Sequence, residues 1–212
     1  KNIYSQDGED GILDFVVHKL PELPKYVVDI GANDGMTCSN SRWLIEHMGF
    51  HGLLIEPYTP AFEQLRELYR NNDRVHLSNK AVGAHTTDTA SITWHGHFDK
   101  IPTPATEVNR VLESEQAPKE IGVLSIDTDG SDNDILTAID WRRFSPWIVI
   151  AEINSSHHYN LQTQIDLMDK AGYYPFLHIG NVCYVRKDRT GELLFNWKIP
   201  LKGRFGFFLK NR

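Results

Sequence analysis

Val28-Asp29-Ile30-Gly31-Ala32-Asn33-Asp34-Gly35 is the stretch on which the fold turns. Its apolar start reaches back to Tyr26 and breaks at Gly31, so Tyr26 to Ile30 reads as a buried strand running into a tight turn. The glycines permit positive φ and let a ligand approach the backbone closely. Ligands of open α/β sheets bind beyond the carboxyl ends of strands, where such a turn sits. The spacing is not the G-x-G-x-x-G of a pyrophosphate cradle. With acids beside its glycines, the turn suits a cationic, amine-bearing ligand better.

Outward from this turn, short β-branched runs alternate with amphipathic stretches, the pattern of strand-helix-strand units in an α/β fold with a largely parallel sheet. Helices are expected at about 8–19, 39–48, from Pro60 onward, 132–141 and 161–170. Strands are expected at 26–30, 52–56, 75–82, 121–126 and 147–153, with an added strand at 89–94. The stretch 98–106 carries two prolines and reads as a loop. Residues 173–179 and 182–185 flank Gly180-Asn181 and read as an antiparallel hairpin at one edge of the sheet.

Glu56 ends the second strand, some twenty residues beyond the turn, where an acid commonly accepts both hydroxyls of an adenosine ribose. Further along, Asp127, Asp129, Asp132 and Asp134 follow one strand, and Glu152, Asn154, His157 and His158 follow its neighbour. Both groups are expected at the carboxyl edge of the sheet, beside the glycine turn. Two chemistries fit them. Asp127, Glu152 and Asn154 are a ligand set for a hard divalent cation, Mg²⁺ or Mn²⁺, which would acidify an acceptor hydroxyl. Alternatively His157 or His158 is a general base with an unperturbed pKa close to working pH. Asp132 and Asp134 also suit a helix start, and Asp129 the turn before Gly130.

Composition sets outer limits. The chain has 212 residues, 41% hydrophobic and 24% charged, as expected of one soluble globular domain over 1–212. Twenty-eight acids against 22 basic residues give a net charge of −6, a field that repels nucleic acid and anionic membranes. Cys38 and Cys183 cannot frame a disulfide scaffold, which fits a reducing, cytoplasmic setting. No apolar run approaches the ~20 residues of a membrane span. Residues 198–212 carry five basic side chains and three phenylalanines without an acid, and read as an extension packed on the domain, in a homo-oligomer contact, or against an anionic group. His95 and His97 around Gly96 read as an exposed hairpin, with an acceptor-pocket role as the alternative.

Five motifs together resemble the FkbM-type family of S-adenosylmethionine-dependent methyltransferases: Ser5 to Asp10, Val28 to Gly35, Gly52 to Pro57, Asn79 to Gly83 and Leu124 to Gly130. They stand in the family's order and spacing across about residues 4–185. The resemblance implies a class I, Rossmann-like, seven-stranded sheet with its last strand antiparallel. It implies that the methionine part of the cofactor lies over Gly31, Ala32, Asn33, Asp34 and Gly35, with Asp29 supporting the turn. Glu56 would bind the ribose, and Pro57, Tyr58, Asn79, Lys80 and Ala81 would border the adenine. Gln6 and Asp7 would close the pocket from the N-terminal side, with a helix-cap role as an equal reading. Members of the family are often found in the synthesis of glycans, polysaccharides and polyketide natural products, so the resemblance implies an acceptor hydroxyl on a sugar or nucleotide-activated sugar. A dehydrogenase would want the glycine-rich phosphate turn and a Tyr-x-x-x-Lys pair, and the sequence has neither.

Overall fold

A computed structural model describes residues 2–94, 97–153 and 161–189. Among the described residues, ten strands and six α-helices follow in the order α1 (Glu9–Lys19), β1 (Tyr26–Ile30), α2 (Arg42–His47), β2 (His51–Ile55), α3 (Thr59–Tyr69), β3 (Val75–Ser78), β4 (Ala81–Gly83), β5 (Thr87–Trp94), β6 (His97–Glu107), α4 (Val108–Ser114), β7 (Val123–Ile126), α5 (Asp132–Ala138), β8 (Ile148–Ala151), α6 (Leu161–Ala171), β9 (Tyr173–Ile179) and β10 (Asn181–Arg186).

Seven strands form the main sheet in the order β3-β2-β1-β7-β8-β10-β9. Every pairing from β3 to β8 is parallel, while β10 runs antiparallel to both of its neighbours. Because the chain moves outward from β1 to β3 and then returns to place β7 against β1, a crevice opens between the ends of β1 and β7. The hairpin expected over 173–185 is present, with β10 inserted between β8 and the edge strand β9.

Strand alternation sorts the apolar side chains onto two faces. Val27, Leu54, Val123, Ile148 and Ile150 join Leu13 and Val16 of α1, Leu44 and Ile45 of α2, and Leu65 of α3. Val28, Leu53, Ile55, Leu124, Ile126 and Val149 join Val111 and Leu112 of α4, Ile135 and Leu136 of α5, and Met168 of α6. The first three helices therefore cover one face and the last three the other. Pro21 follows α1 closely, Pro60 sits in the first turn of α3, and Gly172 (φ +96°) ends α6, each where its backbone preference belongs.

Three expectations change. The single strand over 75–82 is two: β3 ends at Ser78, and β4 pairs with β6 in a separate three-stranded sheet of order β4-β6-β5. The supposed loop over 98–106 is the long strand β6, antiparallel to β5. Two prolines are tolerated there because β4 pairs only with Ala105 to Glu107, which leaves Pro102 and Pro104 beside β5 alone, and the register with β5 is irregular next to Pro104. Helix α2 starts at Arg42 rather than near Ser39, because Ser39, Asn40 and Ser41 are buried and bond other partners. Among the described residues, no helix is long and apolar enough to cross a membrane.

Gln164 of α6 ties the second layer to the sheet. Fully buried, it donates from Nε2 to Asn133 Oδ1 (3.0 Å) and to the Glu152 carbonyl (2.9 Å), and it accepts from the Tyr184 hydroxyl (2.7 Å). Gln164→Leu orphans these groups in the interior and is expected to cost about 2–4 kcal/mol, measured by denaturant or thermal unfolding. Tyr184→Phe, which removes only one of the three bonds, should cost about 1 kcal/mol.

Candidate active site

The first residue beyond each of four neighbouring strands forms a row along the carboxyl edge: Glu56 after β2, Gly31 after β1, Asp127 after β7 and Glu152 after β8. Backbone bonds continue past the strands and fix this row. Gly31 N and Ala32 N both donate to the Ile55 carbonyl (2.9 and 3.1 Å), Asp127 N to that of Ile30 (3.0 Å), and Glu56 N to that of Ser78 (3.0 Å). All four residues line one cleft at the topological switch point.

Gly31 has φ +90°, and a Cβ there would overlap the main-chain carbonyl of Asp127. No other residue satisfies both the dihedral and the approach. Beneath the turn, Asp29 is buried and accepts from Ser41 Oγ (2.6 Å), with Ser125 as a second hydroxyl partner. Asn40 Nδ2 in turn donates to Ser125 Oγ (3.3 Å). Burial pushes the Asp29 carboxyl up despite these bonds. Asp34 holds the far side of the loop by accepting from Met36 N (2.8 Å), Thr37 N (2.7 Å) and Thr37 Oγ1 (2.9 Å).

Glu56 is 5% exposed yet borders the cleft. Its Oε2 accepts from Asn33 N (2.9 Å) and its Oε1 from Tyr58 N (2.7 Å), so each oxygen keeps further acceptor capacity. Burial, reinforced by Asp29 and Asp129, raises its pKa to about 7. Asp127 is raised further, to about 8, by burial and by the charges of Glu152, Asp132, Asp129 and Asp29. Such a concentration of acid is unfavourable unless protons or a cation neutralise it. Asn33, Cys38 and Asp129, all lining the cleft, adopt left-handed backbone with φ near 50°, so strain gathers where a ligand would sit.

Of the residues singled out in the sequence, Gln6, Asp29, Gly31, Ala32, Asn33, Glu56, Pro57, Lys80, Ala81, Asp127 and Glu152 line this cleft. Asp7, Asp34, Gly35, Tyr58 and Asn79 do not; they brace it. Asp7 packs against Gly180 in the β9–β10 turn, and Gly35 against Leu65 and Leu68 of α3. Asn79 Nδ2 donates to the carbonyls of Glu56 (2.8 Å) and Pro57 (3.2 Å), fixing the strand end that carries the glutamate. Asp132 is withdrawn into the turn before α5, accepting from Thr128 N (3.0 Å), Thr128 Oγ1 (3.2 Å) and Gly130 N (3.2 Å). Asn154, His157 and His158 lie outside the described residues. Among the described residues, Asp127, Asp129 and Glu152 gather at the edge, each with a carboxylate oxygen within 4.8 Å of the others'. Thr37, Cys38, Ser39, Asn40, Thr128 and Ser131 also line the cleft and were not foreseen. Their one sequence signal is a run of small polar residues after each turn.

The sequence model of the methyltransferase FkbM domain matches residues 29–175, well over half the chain. The chain belongs to the FkbM methyltransferase family. Among solved structures, it is similar to a methyltransferase from Geobacter sulfurreducens (17% identity, TM-score 0.51, covering 87% of this chain and 81% of that one). It is also similar to methyltransferase FkbM from Methylobacillus flagellatus (18% identity, TM-score 0.52, 76% of this chain), of which it spans only 43%. At such identities these likenesses show the class I methyltransferase fold. No curated protein gives a significant match.

Membership in this family of S-adenosylmethionine-dependent enzymes can be tested against the cleft. A cationic cofactor with a ribose diol needs a carboxylate acceptor and a negative surrounding, and Glu56 with its acidic neighbours provides both. Gly31→Ala should lower stability by about 1–3 kcal/mol and remove S-adenosylhomocysteine binding, as followed by thermal unfolding and calorimetry. Carboxyls raised in the folded state cost it stability progressively as pH climbs from the unfolded carboxylate range near about 4 to the folded values of about 7 to 8. Asp127→Asn should therefore make the unliganded protein about 1–3 kcal/mol more stable than wild type near about pH 9, with the gap narrowing below about pH 8 and closing towards about pH 4.

Proposed function

We propose that this methyltransferase acts on a hydroxyl of a sugar or glycan precursor, nucleotide-activated sugars included. The carrying observation is the position of Asp127, which lines the cofactor cleft at the first residue beyond β7, with a carboxyl poised near neutrality. S-Adenosylmethionine supplies an electrophilic methyl group on a good leaving group, so the protein's tasks are alignment and removal of one proton. Gly31 and Ala32 border the position of the cofactor, and Glu56 takes its ribose hydroxyls. Asp127 then takes the acceptor's hydroxyl proton. A bound sulfonium favours the ionised form of Asp127, which puts the base in its active state when the cofactor is present.

A second reading keeps the same site and adds a divalent cation. Asp127 and Glu152 of the expected ligand set lie at this edge, Asn154 being outside the described residues, and the closeness of Asp129 to both supports this reading. The cation would acidify the acceptor hydroxyl, so that deprotonation would not depend on Asp127 alone as the base. The sugar class is supported by the family resemblance rather than by the shape of the cleft.

Mass spectrometry of a panel of nucleotide sugars, free sugars and simple alcohols incubated with S-adenosylmethionine tests the acceptor. Methylation of the sugars is expected, and transfer only to amines or carbon acids overturns the hydroxyl reading. Asp127→Asn should lower kcat by roughly 10²–10⁴ while leaving S-adenosylhomocysteine affinity within about threefold. Loss of activity in chelator with recovery on adding Mg²⁺ or Mn²⁺ selects the cation; undiminished activity in chelator removes it.

A further inference from the structure

Lys80 is the one basic side chain among the described residues lining a cleft that also presents five acids. Left to electrostatics alone, its ammonium would fold over the nearest of them. Glu56 is well placed for that pairing, because β2 and β3 are adjacent and Glu56 N is bonded to the carbonyl of Ser78, two residues before Lys80. The ammonium goes elsewhere. Lys80 Nζ donates to Glu115 Oε1 (2.6 Å) and Ser114 Oγ (3.2 Å), at the end of α4.

Glu115 is built to hold it. Its side chain is only 11% exposed, against 43% for Lys80. The same carboxylate accepts from Ser78 Oγ (2.8 Å) and contacts His76 Nε2 (2.6 Å), both on β3. Burial opposes its ionisation, but the bonds from Lys80, His76 and Ser78 outweigh burial and hold the carboxyl down at about 2. The ion pair is thus made with a fixed carboxylate rather than with a mobile surface acid, and fixed geometry is what gives a partly exposed pair an effect.

We infer that Glu115 is a positioning residue for the cofactor: it draws the Lys80 ammonium out of the cleft, so that the lysine stem borders the adenine while Glu56 stays available to the ribose. The inference rests on the S-adenosylmethionine reading of the cleft. Without the tether, the ammonium would compete with the diol for Glu56 and would place positive charge beside a cationic cofactor.

A double-mutant cycle tests this, with S-adenosylhomocysteine titrated calorimetrically into wild type, Glu115→Gln, Lys80→Met and the double variant. Glutamine keeps the shape and a hydrogen bond to Ser78 while removing the charge that holds Lys80. Glu115→Gln is expected to weaken binding about tenfold when Lys80 is present and less than about twofold in the Lys80→Met background. An equal loss in both backgrounds overturns the proposal, since it would mean that Glu115 merely ties α4 to β3. No loss in either background overturns it as well. A wild-type protein that binds neither sulfur cofactor overturns the cofactor reading and this inference with it, and the wild-type titration alone identifies that case.

Discussion

Strand register is the constraint on which the chemistry of this protein depends. Ile55, Ile30, Ile126 and Ala151 are partners across four parallel strands, so the next residue of each chain segment falls on one line at the sheet edge. That line reads Glu56, Gly31, Asp127, Glu152. A slip of one residue would turn the buried Asp29 and Ser125 into the opposite helix layer and point the acids away from the crevice. Two-sided burial prevents the slip, since every strand in this part of the sheet has apolar side chains committed to both layers.

At the centre of the line, main chain meets main chain. Gly31 lies under the Asp127 carbonyl, and the absence of a side chain lets the turn after β1 close against the end of β7. The crevice between these strands is therefore floored by backbone, and side chains enter only from its rim. Asp29 supports this floor from below through Ser41 and Ser125, while Asp34 and Asp132 tie down the two flanking turns. Three of the acids near the site are thus structural; burial first, then the charges of Asp29 and Asp129, raises Glu56, and burial first, then the charges of Glu152, Asp132, Asp129 and Asp29, raises Asp127.

Electrostatic tension distinguishes this cleft from an ordinary polar groove. Acids that are partly desolvated and close together favour protonation or a cationic guest, and a sulfonium is such a guest. The only basic side chain on the described lining is directed to Glu115 instead. That ammonium therefore does not cover Glu56, and a cationic ligand can take its place beside the raised carboxyls of Glu56 and Asp127.

Much of this was legible in the linear chain. Tyr26 to Ile30, the glycine turn, Glu56 and the hairpin around Gly180 could be located from apolar runs, turn residues and spacing, because those patterns reflect local backbone preferences and burial on two faces. Asp127 and Glu152 could be placed at the same edge because both follow buried strands. The run 75–82 could not be divided by pattern, since its two halves are equally apolar and separate only because β4 finds β6 in another sheet. Strand β6 was hidden by its prolines, and the tie between Lys80 and Glu115 by their separation of 35 positions in the chain. The sequence by itself determined the sheet, its turn and its acids, which depend on neighbours in the chain. Which acids face the cleft, which brace it, and where the lysine goes were decided only by tertiary packing, because register and burial set the partners of each charge.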